Sequence, residues 1–145
     1  MIIASTKDHL AAIVDSNINK VGLALDLVKA IESAPKRGVE CYVIPVSEVP
    51  GSNERSSGPA RQKLNITIGV VIGIKASNDP SGERSADDLE AVRTVIRDNL
   101  FGWTPEGAKT HFLLGKSSLV KMVPGGVWWL DQFTTTTQRT GTQHG

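Results

Sequence analysis

Apolar and polar residues alternate most regularly mid-chain, where Leu64, Ile66, Ile68, Val70, Ile72 and Ile74 interleave with Asn65, Thr67, Gly69, Val71, Gly73 and Lys75. A period of two predicts one long strand with a strongly apolar face and a small or polar opposite face. Ser77 to Gly82 then reads as a loop. Beyond it the period changes: Leu89, Val92, Ile96 and Leu100 fall on one face of a helix. Ser85, with Asp88 three residues later, predicts its start, and Asp87, Asp88 and Glu90 suit the positive dipole end of a first turn. Arg93 and Arg97 sit toward the C-terminal half, where the dipole favours cations. Burying the four apolar side chains contributes roughly 6–12 kcal/mol before entropy costs. Gly102, with Pro105 following, predicts the C-terminal cap.

Upstream, Leu10, Ile13 and Val14 mark one helix, and Leu23, Leu27, Val28 and Ile31 mark a second that ends before Pro35. Val39 to Val46 reads as a shorter strand, with Pro45 placing it at an edge or a strand end. Downstream, His111 to Leu114, Ser118 to Val123 and Val127 to Thr135 are strand candidates, the last two joined as a hairpin at Pro124-Gly125-Gly126. Glu48 to Gln62 carries Pro50, Gly51, Gly58 and Pro59 and no large apolar residue after Val49, which predicts a long loop. The expectation from the pattern is a single short domain whose C-terminal run from Thr134 begins with β-favourable residues and ends as a polar tail.

Composition adds exclusions. The chain has 145 residues with 39% in the apolar and aromatic classes, which suits one folded domain and argues against wholesale disorder. Sixteen basic against fifteen acidic residues leave a net charge of +1, without the excess that steers a protein to nucleic acid or anionic lipid. No apolar run approaches the roughly 20 residues needed to span a bilayer, and the N-terminal run is too short for a signal peptide. One cysteine, Cys41, and scattered histidines at 9, 111 and 144 offer neither a disulfide nor a metal framework, and suggest a reducing compartment.

Several motifs invite chemistry. Gly115-Lys116-Ser117 resembles the end of a phosphate-binding loop, but Thr110 stands where its first glycine belongs and the flanks read as strand, so a turn breaking the strand is expected. Gly69 and Gly73 open no helix and suggest close packing against a backbone instead. Cys41 reads as a buried thiol, and the Asp87, Asp88 and Glu90 group as helix capping rather than a metal or acid–base site. Trp128 and Trp129 are adjacent on a strand and therefore on opposite faces; one of them either meets a partner or is covered by a helix of its own chain. Arg55, Arg61 and Lys63 give the long loop and its exit a positive bias, read either as a contact surface or as a solvated loop.

In order and spacing these pieces resemble the tail terminator, or tail completion, proteins of long-tailed bacteriophages and prophages. The resemblance rests on the Leu64–Lys75 strand, the Asn78–Gly82 loop with the helix holding Asp88-Leu89-Glu90, the Gly102-Trp103-Thr104-Pro105-Glu106-Gly107-Ala108 turn, and the strand Gly126-Val127-Trp128-Trp129-Leu130-Asp131-Gln132-Phe133. It implies a single α+β domain over residues 1–135, with a mainly antiparallel four-stranded sheet packed by two to three helices, followed by a polar tail, 136–145. It also implies a structural protein without catalytic residues, cofactor or metal, assembling in the host cytoplasm as a hexameric ring at the head-proximal end of the virion tail. Tail tube protein and a head-completion or connector protein are the partners implied, with no membrane and no sequence-specific nucleic acid. Arg55, Arg61, Lys63, Trp128 and Trp129 are the candidate subunit and partner contacts. Two other readings stay open: another tail, neck or tube subunit, and a small ligand-binding domain using the Gly115-Lys116-Ser117 turn.

Overall fold

A computed structural model describes residues 1–13, 17–76 and 81–142. Its elements run α1 (Ile2–Ala11), β1 (Lys20–Leu23), α2 (Ala24–Ala30), β2 (Val39–Asn53), β3 (Arg61–Lys75), α3 (Glu83–Leu100), β4 (Leu113–Val123) and β5 (Gly126–Thr140). The strands form one sheet in the order β1-β2-β3-β5-β4. The alternating segment found in the sequence is therefore its central strand, β3, paired antiparallel with β2 on one side and along its whole length with β5 on the other.

Helices cover both faces of this sheet. Leu10 of α1 and Val92, Ile96 and Leu100 of α3 join Ile68, Val70, Ile72 and Ile74 of β3 in the larger core. Opposite, Leu27, Ala30 and Ile31 pack over a smaller cluster of Tyr42, Val71 and Trp128. The glycines of β3's second face make room for that cluster: a Cβ on Gly73 would collide with the Trp128 ring and with Pro35. The neighbours that require a small residue there are thus side chains rather than the expected backbone.

Four sequence expectations need correction. The sheet has five strands rather than four and is mixed, because β1 pairs in parallel with β2 from Lys20↔Glu40 to Leu23↔Val43. Leu23 shares helical spacing with Leu27 and Ile31, which masks a four-residue strand that ends where α2 begins. Second, most of Glu48–Gln62 is strand: β2 and β3 continue as a hairpin to Asn53↔Gln62, leaving a turn over 54–60. Backbone pairing asks little of the side chains, so a polar, Ser- and Gly-rich sequence conceals it. Third, β5 runs through the start of the expected tail to Thr140, opposite Arg61. Fourth, Gly115-Lys116-Ser117 does not break the strand; a register shift between Leu114 and Ser117 places it at a β-bulge within β4.

Other expectations are met with small shifts. Helix α3 starts at Glu83 with Gly82 as N-cap and no side-chain cap bond, so Ser85 lies inside the first turn, where its hydroxyl donates to the Gly82 carbonyl, and the acidic residue of that turn is Glu83; Asp87, Asp88 and Glu90, expected as caps, lie beyond it. The helix ends at Leu100 with Phe101 as C-cap, and Gly102 follows at φ 84°, the left-handed conformation expected of a glycine after a helix. Val123 and Gly126 close the β4–β5 hairpin. Val14, residues 77–80 of the expected loop and residues 143–145, including His144, lie outside the described residues.

Candidate functional site

The hairpin dominates the exposed architecture. Fifteen residues of strand rise about 50 Å, yet in β3 only the run from Ile68 to Ile74 is buried. The outer halves of β2 and β3, with the end of β5, project past the helices as a three-stranded arm. Its tip is closed by Asn53, whose side-chain oxygen accepts from the Arg55 and Arg61 amides while its NH2 donates to the Arg55 carbonyl. Arg55 is exposed at that tip, and Lys63 is exposed along the arm opposite Gln138. Arg61 differs, because its guanidinium donates to Gln138 Oε1 at 2.9 Å and lies 3.7 Å from Glu54, whose carboxylate also accepts from Gln138. Arg55 and Lys63 are thus presented to solvent, and Arg61 fastens the arm together.

Trp128 and Trp129 lie on opposite faces as expected. Trp128 is fully buried under α2, where Nε1 donates to the Ser33 carbonyl at 3.0 Å, so a helix of the same chain covers it. Trp129 is half-buried under α3, with the Arg93 guanidinium 4.8 Å above its ring. Its Nε1 donates to Asp131, the centre of a polar knot that sequence reasoning missed. Asp131 is only 1% exposed and accepts from Arg93 Nε on both oxygens, from the Ser117 hydroxyl at 2.7 Å and from Trp129. Burial pushes its carboxyl up, but these hydrogen bonds and the Arg93 charge outweigh that and hold it below the ordinary carboxylate value. The sequence signal was the inward spacing of Arg93 with Leu89, Val92 and Ile96, which the dipole explanation of Arg93 had hidden.

Most of these polar groups are held in structural contacts, with Arg61 Nε and Arg97 Nε buried without a hydrogen-bond partner. Ser117, the last residue of the phosphate-loop-like motif, is committed to Asp131, and the motif opens no helix. Cys41 is buried, and desolvation foremost, with the charges of Asp131 and Glu40, pushes its thiol well up, opposite to a nucleophile's need. His9 stacks on Trp103 at 3.9 Å with Nε2 3.0 Å from the Asn99 carbonyl, and Ser5 accepts from the Glu106 amide. These contacts fasten the Gly102–Ala108 turn to α1. Among the described residues no group of His, Cys, Asp or Glu is placed to hold a metal ion.

Sequence reasoning also missed two apolar surfaces. Met1, Ile2 and Ile3 meet Leu64, Ile66 and Ile68 around a groove of about 800 Å³ where the arm leaves the helical layer. The edge strand β4 exposes Leu113, Leu114, Leu119, Val120 and Met122. A long edge with apolar side chains is a ready surface for association. The arrangement as a whole suits contact with other macromolecules.

No curated protein matches the chain in sequence. Among solved structures it is similar to a chain in the virion of a native gene transfer agent particle, with TM-score 0.53 and 14% identity over 95% of each chain. That likeness concerns the fold. The family model described as phage tail terminator protein matches residues 3–143, nearly the whole chain. The chain belongs to the phage tail terminator family, whose members are structural proteins of phage tails.

Proposed function

We propose that the protein caps the tail tube as a hexameric ring, ends tail polymerisation and forms the surface on which the head is joined. The family match over residues 3–143 carries this reading. The projecting arm supports it, since rings need heterologous contacts in which one surface of a subunit meets a different surface of the next. In this reading Arg55 and Lys63 contact the neighbouring subunit or the tube, and Arg61 keeps the arm straight. Trp129 supports the face on which α3 lies, and Trp128 acts from within the core. The partners are tail tube protein and a head-completion or connector protein, and the finished ring lies at the head-proximal end of the tail.

The test is assembly of particles without the protein. Tails of uncontrolled length that fail to join heads are expected. Tails of normal length joined to heads would reject the proposal, and the protein distributed along the whole tube would make it a tube subunit instead.

A further inference from the structure

We infer that a cationic cavity beside Tyr42 receives the acidic outer face of α3 from a second copy of this chain, and that this contact links successive subunits. The inference rests on the ring reading above and specifies which surfaces close the ring. The cavity, about 440 Å³, is lined by Lys20, Lys29, Lys36 and Arg37 against Asp26 and Glu40. Among the described residues none of the four cations lies within ion-pair distance of a carboxylate. Glu40 is only 6% exposed and already accepts from the Tyr42 hydroxyl and the Lys36 amide, so it is a satisfied wall of the cavity. Four basic side chains converge from β1, α2 and the α2–β2 connection on one concave place, in a chain whose net charge is only +1.

The matching charge lies on the other side of the sheet. Glu83, Asp87, Glu90 and Asp98 recur at spacings that form one exposed stripe along α3. Of the helix's three arginines, Arg93 and Arg97 turn inward to Asp131, at 3.0 and 3.9 Å, and Arg84 is a single cation against the stripe's four carboxylates. The cavity belongs to the face covered by α2, and α3 packs on the opposite face. Basic and acidic surfaces on opposite sides of one subunit cannot satisfy each other within a chain. They fit head to tail between chains, the arrangement that closes into a ring. Exposed ion pairs are individually weak and screened by salt; several acting together set register and orientation between subunits.

Two charge-reversed chains test this. One carries Lys29→Glu, Lys36→Glu and Arg37→Glu, the other Glu83→Lys, Asp87→Lys and Glu90→Lys. Each alone should enter assembled tails at least roughly tenfold less than wild type. An equal mixture should recover, because each then meets the complementary face of the other. Wild-type incorporation of either variant alone would overturn the inference, as would failure of the mixture when circular dichroism shows both chains folded. Carbodiimide cross-linking of wild-type rings gives a second readout that does not depend on variants. Links between Lys20, Lys29 or Lys36 and the α3 carboxylates must join two copies, since the groups lie on opposite faces; their absence from rings would also overturn the inference. Single reversals that still form a ring at the tail end would defeat this contact and leave the terminator reading standing. Intact cross-links with the protein found along the tube would do the reverse.

Discussion

Arg93, on the inward face of α3, holds both oxygens of the buried Asp131 carboxylate at 3.1 and 3.0 Å while its guanidinium covers the Trp129 ring. This pair ties the helix to β5 on the sheet face that α3 covers, with Ser117 binding β4 to the same point. Asp131→Ala leaves the partly exposed Arg93 guanidinium without its carboxylate and the Ser117 and Trp129 donors without their acceptor, so it should cost about 1.5–3 kcal/mol. Chemical denaturation of the variant against wild type measures it.

The same carboxylate predicts an acid limit to stability. Asp131 is held below its usual value in the folded chain, whereas an unfolded Asp titrates near about 3.9. Its contribution is therefore fully present above about pH 4 and is lost as pH falls through the lower folded value. Denaturation midpoints measured from neutral pH downward should show this loss. Asp131→Asn should begin less stable and remove this part of the acid dependence.

Gly73 lies under the Trp128 ring, and a methyl group there meets both the ring and Pro35. Gly73→Ala should destabilise by about 1–3 kcal/mol through overpacking. Near-ultraviolet circular dichroism should show the Trp128 signal altered while the far-ultraviolet spectrum is kept.

The arm separates stability from assembly. Arg55 and Lys63 are exposed and form no ion pair among the described residues, so Arg55→Glu with Lys63→Glu should change stability by less than about 0.5 kcal/mol. If the arm mediates contact, the same chain should cap tubes poorly. Arg61→Ala should lower both measures, because Arg61 ties Glu54 and Gln138 together.

The elements that could be read from the sequence are those whose side chains repeat at a strand or helix period. Leu64–Lys75, the α3 face and the β4–β5 turn have that property and stand where the period places them, although β4 runs unbroken through 115–117 and β5 continues to Thr140. The arm was not legible because backbone pairing holds it, and pairing leaves no mark on residues such as Ser47, Glu48 and Thr136. The parallel strand β1 was hidden by running directly into α2. Among the candidate contacts, the opposite placement of Trp128 and Trp129 followed from adjacency alone. The separate roles of Arg55, Arg61 and Lys63 depend on Gln138, distant in sequence and adjacent only once β3 and β5 pair. Asp131 was missed for the same reason, since its partners come from α3, β4 and β5.

Electron microscopy of tails carrying a labelled copy of the protein tests the central claim most directly. Six labels in a ring at the head-proximal end, and none along the tube, are expected. Labels repeating along the tube, or an end that is bare in tails of normal length, would contradict the assignment of this chain as the cap.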